Sequence, residues 1–354
     1  MKVYFLINSL YTAGGTERMT ATIANSLSEK GYDIGIICLH RGENSFFKIE
    51  EKVSLYYINK ASKTNIYLGY IHDVYKLHQI LKKEKPNFLV DVCSAMSLIS
   101  LPASAFMFTR IITWEHFNAS VNWNPITSPL ARKLASLYSY KIVTLTETDK
   151  IVFEQKYNAK NVLCIKNPVT IKVEEPSPLL EKTVLAIGRI EEQKGFDMLI
   201  DIWEKSYSKS NGWVLKIVGT GSLQSSIEEQ ITRLGLNNTV KIEPPTHDVV
   251  ALYRDASVYA MSSRFEGLPL VLIEAMSMGL PIVSFDCETG PRDIVKNNIT
   301  GFLVEANNVD LFAQKLDLIT ENRDLMCTYS RNSILYSKEF RLEPILQEWI
   351  GLLK

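Results

Sequence analysis

Short apolar runs alternate along this chain with longer stretches whose apolar residues recur every three or four positions, a pattern of strands followed by amphipathic helices. Residues 3–7 predict a buried strand, 17–30 a helix stopped at Gly31, and 33–39 and 53–58 two further strands. A helix over 66–83 leads to a strand at 88–92, a helix at 97–107, and strands at 111–114 and 141–145. The pattern breaks at Asn167-Pro168 and again at Glu174-Glu175-Pro176-Ser177-Pro178, where proline removes donors and stiffens the backbone. It then restarts, with strands predicted at 183–187, 213–218, 239–242, 258–261 and 282–285 and helices at 195–205, 223–234, 269–278 and 309–320. Repeated β-then-α order implies parallel sheets covered by helices on both faces. The expected fold class is α/β: two doubly wound Rossmann-like domains facing across a cleft, with ligands held outside the carboxyl ends of the strands. The boundaries that follow are 1–168 and 169–342, with a terminal helical segment at 343–354 expected to pack back on the first domain.

Length and composition fit this division. A chain of 354 residues is too long for one ordinary core, and 46% hydrophobic with 22% charged residues excludes a disordered or low-complexity protein. The apolar start is too short for a signal-peptide core, and the greasiest stretch, 98–114, contains Pro102 and Arg110 and falls short of the ~20 apolar residues that cross a bilayer. The five cysteines are scattered, mostly in apolar runs, and read as core thiols in a reducing cytosol. Net charge is zero, yet residues 1–168 hold 20 Lys+Arg against 13 Asp+Glu, leaving +7, and the remainder carries −7. A basic half suggests contact with an anionic surface or ligand; because the lysines are dispersed, ordinary solvated faces are the alternative.

Three segments carry candidate chemistry. Asn8 to Glu17 runs from a strand through Gly14-Gly15 into a helix, so backbone N–H groups and the helix start can approach an anion, although such a turn also serves as plain chain reversal. In Gly188-Arg189-Ile190-Glu191-Glu192-Gln193-Lys194-Gly195, two cations flank a glycine turn between strand and helix, a combination suited to a diphosphate; a solvated mixed-charge loop is the bland reading. In Ser262 to Met276, Glu266 precedes a turn and Glu274 sits on a helix among Val271, Leu272, Ile273, Ala275 and Met276. A carboxylate in those surroundings needs hydrogen-bond donors, supplied either by ligand hydroxyls or by backbone that it caps.

The ordered set Gly14-Gly15, Gly188-Arg189 with Gln193-Lys194-Gly195, Gly219-Thr220-Gly221, and Glu266 with Glu274 resembles glycosyltransferase family 4, a retaining family of the GT-B fold. Trp114-Glu115-His116-Phe117-Asn118 and the segment Asp286 to Asp293 are similar to those of bacterial enzymes that extend lipid-linked or capsular polysaccharide precursors. The resemblance implies that Gly14, Gly15 and Gly188 border the donor diphosphate and that Arg189 and Lys194 neutralise it as it leaves. It implies that Glu274 holds the ribose, that Glu266 contacts the transferred sugar with the amides of Gly267 and Leu268, and that His116 lies near the reacting carbon. Where the family has an aromatic-apolar-glycine turn near the base, this chain reads Ile242-Glu243-Pro244-Pro245-Thr246; its prolines offer no N–H, so the nucleobase stays open, with uridine favoured.

The expected reaction moves a hexose or N-acetylhexosamine from a nucleotide-sugar to a glycan acceptor carried on polyprenyl diphosphate or a polysaccharide precursor. No carboxylate is obviously dedicated to double displacement, so same-face attack is expected, with leaving-group charge met electrostatically. The sequence has no Asp-x-Asp, and neither a metal nor another cofactor is expected. Two rivals stand beside this reading: a nucleotide-sugar epimerase on the same frame, and a non-catalytic sugar-binding protein. A dinucleotide oxidoreductase is excluded by the missing Gly-x-Gly-x-x-Gly. The expected setting is cytoplasmic, peripheral to the inner membrane face through the basic first domain, without nucleic-acid partners. Candidate contacts are Lys82, Lys83, Lys85, the Arg132-Lys133 pair, Phe106, Phe108 and Trp123.

Overall fold

The structure, a computed structural model, describes residues 1–12, 14–40, 42, 45–59, 66–246 and 248–354; Ala13 of the first glycine turn lies outside the described residues. The chain divides into two compact units, one formed by Met1–Pro168 with Leu342–Lys354 and the other by Val169–Arg341.

The first unit runs β1 (Lys2–Ile7), α1 (Gly15–Glu29), β2 (Asp33–His40), β3 (Ser54–Asn59), α2 (Ile66–Glu84), β4 (Phe88–Val92), α3 (Ser97–Ala103), β5 (Arg110–Trp114), α4 (Thr127–Tyr138), β6 (Lys141–Thr144), α5 (Glu147–Tyr157) and β7 (Val162–Cys164). Its seven strands are all parallel in the order β3-β2-β1-β4-β5-β6-β7. The order reverses between β1 and β4, where crossovers depart to opposite sides and leave a crevice at the carboxyl ends. Both strands are buried throughout except at Lys2, as runs such as Phe88-Leu89-Val90-Asp91-Val92 require when helices cover both faces.

The second unit runs β8 (Thr183–Ile187), α6 (Phe196–Lys205), β9 (Val214–Val218), α7 (Gln224–Arg233), β10 (Val240–Glu243), α8 (Val249–Arg254), β11 (Val258–Met261), α9 (Leu270–Ser277), β12 (Ile282–Asp286), α10 (Pro291–Ile294), β13 (Gly301–Glu305), α11 (Val309–Glu321) and α12 (Arg323–Tyr336). Its six parallel strands follow the order β10-β9-β8-β11-β12-β13, so the reversal falls between β8 and β11. A final helix, α13 (Leu342–Leu352), belongs to the first unit. It buries Ile345, Leu346, Trp349 and Leu352, and the Trp349 ring meets Trp114 edge-on at 4.8 Å between centroids. Burying one such aromatic contributes about 2 to 3 kcal/mol.

The structure adds elements that the apolar pattern did not predict: α4, α5, β7, α8, α10, β13 and α12. It also shortens the helix expected over 97–107. Pro102 lies in the last turn of α3, which stops at Ala103, and the chain then turns through Phe106 with φ of 64°. Phe106 and Phe108 are fully exposed as a result. Among the described residues no helix is long and apolar enough to cross a membrane.

Candidate active site

In the second unit the turns after β8 and β11, neighbours at the strand-order reversal, are fastened to each other. The Arg264 amide donates to the Gln193 carbonyl at 2.8 Å, Ser262 Oγ donates to the Lys194 carbonyl at 3.0 Å, and Gln193 Nε2 donates to the Phe265 carbonyl at 3.1 Å. Arg264 forks onto Asp197 at 2.9 and 2.6 Å, holding that carboxyl below its usual range. Gly195 turns the chain into α6 with φ of 61°, and a side chain there would strike the Ser262 carbonyl. Behind the turn, Gly188 and Ile190 amides donate to the Val218 and Thr220 carbonyls, and side chains at Gly219 or Gly221 would collide with the carbonyls of Gly188 and Ile190.

These constraints bring Gly188, Lys194, Glu266, Gly267 and Leu268 together. The Lys194 stem lies across Gly188, and its Nζ sits 2.6 Å from Glu266 Oε1, with side-chain exposures of 17% and 7%. Thr289 Oγ1 donates to the Glu266 carbonyl at 2.5 Å, and Gly290, with φ of 93°, brings the loop after β12 against Gly267. Among the described residues the amides of Gly267 and Leu268 have no protein acceptor, and the exposed Arg189 side chain has no hydrogen-bond or ion-pair partner. Ser263 Oγ is buried beside this cluster and likewise lacks one.

Glu274 stands apart on α9. It is 3% exposed; Oε1 accepts from Thr170 Oγ1 at 2.8 Å and Oε2 from the buried Tyr253 hydroxyl at 2.9 Å. Neither Thr170 nor Tyr253 was legible as a partner, since nothing in the spacing of residues 170, 253 and 274 links them.

In the first unit, Gly14 caps α1 without a side-chain hydrogen bond, and Gly15 is exposed at its start. The Glu17 carboxylate lies over Gly14 and accepts from Thr12 Oγ1 at 2.5 Å, so this helix start presents a negative group to an approaching anion. His116 follows β5 with its ring 4.2 Å from Trp114; its Nε2 is buried and has no partner among the described residues, and burial lowers its pKa to about 3, leaving a neutral imidazole. Beneath it, Glu115 is buried, accepting from Ser94 Oγ at 2.5 Å and from the Phe117 amide at 3.2 Å, with Arg132 Nε at 3.4 Å.

Arg132 corrects one expectation. It is 0% exposed, turned inward from α4, and unavailable to any membrane surface; the adjacent Lys133 is exposed. A charge in the sequence reads as solvated because an unpaired buried guanidinium is prohibitively costly, and its partners become visible only in the fold.

Two doubly wound parallel sheets, each carrying its chemically equipped turns at the carboxyl ends of the strands, define a protein of the GT-B fold class. Residues 170–335 match the family described as Glycosyl transferases group 1. An uncharacterized glycosyltransferase of Haemophilus influenzae is 36% identical over 353 residues, covering 99% of each chain. A Campylobacter jejuni relative, 27% identical over 100% of this chain and 98% of its own, is named as an α-1,4-N-acetyl-D-galactosaminyltransferase acting on a GalNAc-GalNAc-diNAcBac-PP-undecaprenol. The Anabaena protein HepE, solved in complex with UDP, superposes with a TM-score of 0.82 at 21% identity, over 100% of this chain and 99% of that one. The chain belongs to the group 1 glycosyltransferases.

Proposed function

We propose that this glycosyltransferase retains anomeric configuration, needs no metal, and moves a hexose or N-acetylhexosamine from a UDP-sugar to a polyprenyl-diphosphate-linked or polysaccharide-precursor glycan. The Lys194–Glu266 pair at the β8/β11 reversal carries the reading. An arriving diphosphate offers Lys194 a stronger anionic partner than Glu266, and the exposed Arg189 supplies a second cation from the same turn. Lys194 moving to phosphate frees the Glu266 carboxylate for hydroxyls of the transferred sugar, with the Gly267 and Leu268 amides as further donors. The bond between the anomeric carbon and the phosphate oxygen breaks with its electron pair on the diphosphate. The acceptor hydroxyl then attacks from the same face and passes its proton to the departing phosphate oxygen. Fixed cations perform the charge neutralisation for which a metal ion serves elsewhere. Gly14, Gly15 and Glu274 are assigned to the donor diphosphate and ribose, and neutral His116 to the sugar near the reacting carbon. The UDP of the Anabaena structure and the lipid-linked acceptor in the Campylobacter name support the donor and acceptor assignments.

The test is a panel of UDP-sugars with a polyprenyl-diphosphate glycan in excess EDTA, read by product mass and by the anomeric coupling of the new linkage. One added hexosyl or N-acetylhexosaminyl group with the donor's configuration is expected. Isomerised donor without transfer would establish the epimerase instead, and an inverted linkage or loss of activity in EDTA would overturn the mechanism.

A further inference from the structure

We propose that Arg132 is a positioning residue for sugar transfer, a buried guanidinium around which the His116 loop is wrapped; this rests on the assignment of His116 to the reacting sugar. Arg132 has five N–H groups and the fold supplies an acceptor for each. Nε faces Glu115 Oε2 at 3.4 Å; Nη1 donates to the Ala119 carbonyl at 2.8 Å and to Asn122 Oδ1 at 3.1 Å; Nη2 donates to the Asn118 carbonyl at 3.1 Å and the Val121 carbonyl at 3.0 Å. Every acceptor lies in the eight residues from Glu115 to Asn122, the segment that contains His116. Trp123, the next residue, places its ring 4.9 Å from the guanidinium carbon.

The arrangement is specific to arginine. Three carbonyls of an irregular loop turn inward; the Asn118 carbonyl also accepts from the Val121 amide at 3.2 Å, while those of Ala119 and Val121 would be costly unpaired, and one planar fork reaches all three. The loop is thereby fixed on both sides of His116: the Glu115 amide donates to the Val143 carbonyl at 2.8 Å, and the Phe117 amide is held by Glu115 Oε1. The His116 ring packs on Trp114 and, among the described residues, has no hydrogen bond at Nε2, so this backbone and the Trp114 contact are what position it.

The decisive variants are Arg132→Met combined with Glu115→Gln, which removes both buried charges and leaves neither stranded, and Arg132→Lys, which keeps the charge and loses the fork. Thermal unfolding, kcat and KM for transfer, UDP affinity and the nitrogen-15 signals of the His116 ring are measured together. Expected for the double variant are a folded protein, UDP affinity within about twofold of wild type, kcat lower by about 10²-fold, and displaced His116 signals; Arg132→Lys falls between. Should the double variant not fold, Arg132→Lys carries the same comparison. Folded protein with wild-type kcat and unmoved His116 signals, while His116→Ala is slow, would overturn the role of Arg132 alone. Wild-type kcat in His116→Ala would overturn the assignment of His116 and this inference with it.

Discussion

Lys194 uses the same three N–H donors for its resident carboxylate and for the phosphate it is proposed to bind, so its substitutions separate two effects. Lys194→Ala leaves Glu266 without its counter-cation in a 7%-exposed site and removes a charge from the departing diphosphate. Arg189→Ala removes an exposed cation that, among the described residues, has no hydrogen-bond or ion-pair partner. Both are expected to lower kcat by about 10²-fold or more, while only Lys194→Ala lowers the unfolding temperature. Steady-state kinetics beside thermal melts check this, and near wild-type turnover in both variants would remove the phosphate clamp from the mechanism. The sequence suggested the proposed clamp as two cations at a glycine turn, but the Lys194–Glu266 pairing was hidden by their separation of 72 in sequence. Only the adjacency of β8 and β11 closes that separation.

Between elements, Glu274 ties α9 to Tyr253 of α8 and to Thr170, and its proposed ribose contact must share the same two oxygens. Glu274→Gln turns one acceptor into a donor that faces a hydroxyl, whereas Tyr253→Phe removes a single donor. Both should destabilise by about 1 to 3 kcal/mol, but only Glu274→Gln should weaken UDP binding, by about tenfold or more. Calorimetry of UDP on both variants decides it: equal affinities would leave Glu274 a purely structural tie. Periodicity located the buried strands well, as at Phe88–Val92 and Val258–Met261, because strands covered on both faces are spelled as continuous apolar runs. It missed α4 for a physical reason. The buried side of that helix is Ser128, Ala131, Arg132, Ala135 and Ser136, while Leu130, Leu137 and Tyr138 are exposed, so the usual pattern is inverted. Helix α12 escaped similarly, burying Ser330 and Ser333.

Over the whole molecule, the charge split acquires a location within the first unit. Thr109 Oγ1 donates to the Pro86 carbonyl and the Arg110 amide to the Asn87 carbonyl, which brings the chain after exposed Lys82, Lys83 and Lys85 beside the turn bearing Phe106 and Phe108. Two fully exposed phenylalanines on a turn next to these lysines motivate a test of binding to an anionic bilayer interface, where each engaged Lys would add about 1 kcal/mol of attraction. Sedimentation with phosphatidylglycerol vesicles is expected to show salt-sensitive binding. Phe106→Ser with Phe108→Ser, or charge reversal at Lys82, Lys83 and Lys85, should weaken it about tenfold or more; binding unchanged in both would leave this surface without a lipid role. The return of α13 to the first unit has a different consequence, one for biosynthesis. Residues 169–341 form a contiguous unit that can finish folding as soon as it has emerged from the ribosome. The unit begun first stays incomplete until α13 has been made, with Trp114 uncovered for want of Trp349. During that interval the nascent first unit is expected to expose apolar surface that a chaperone can bind, and to complete its packing only once α13 has emerged.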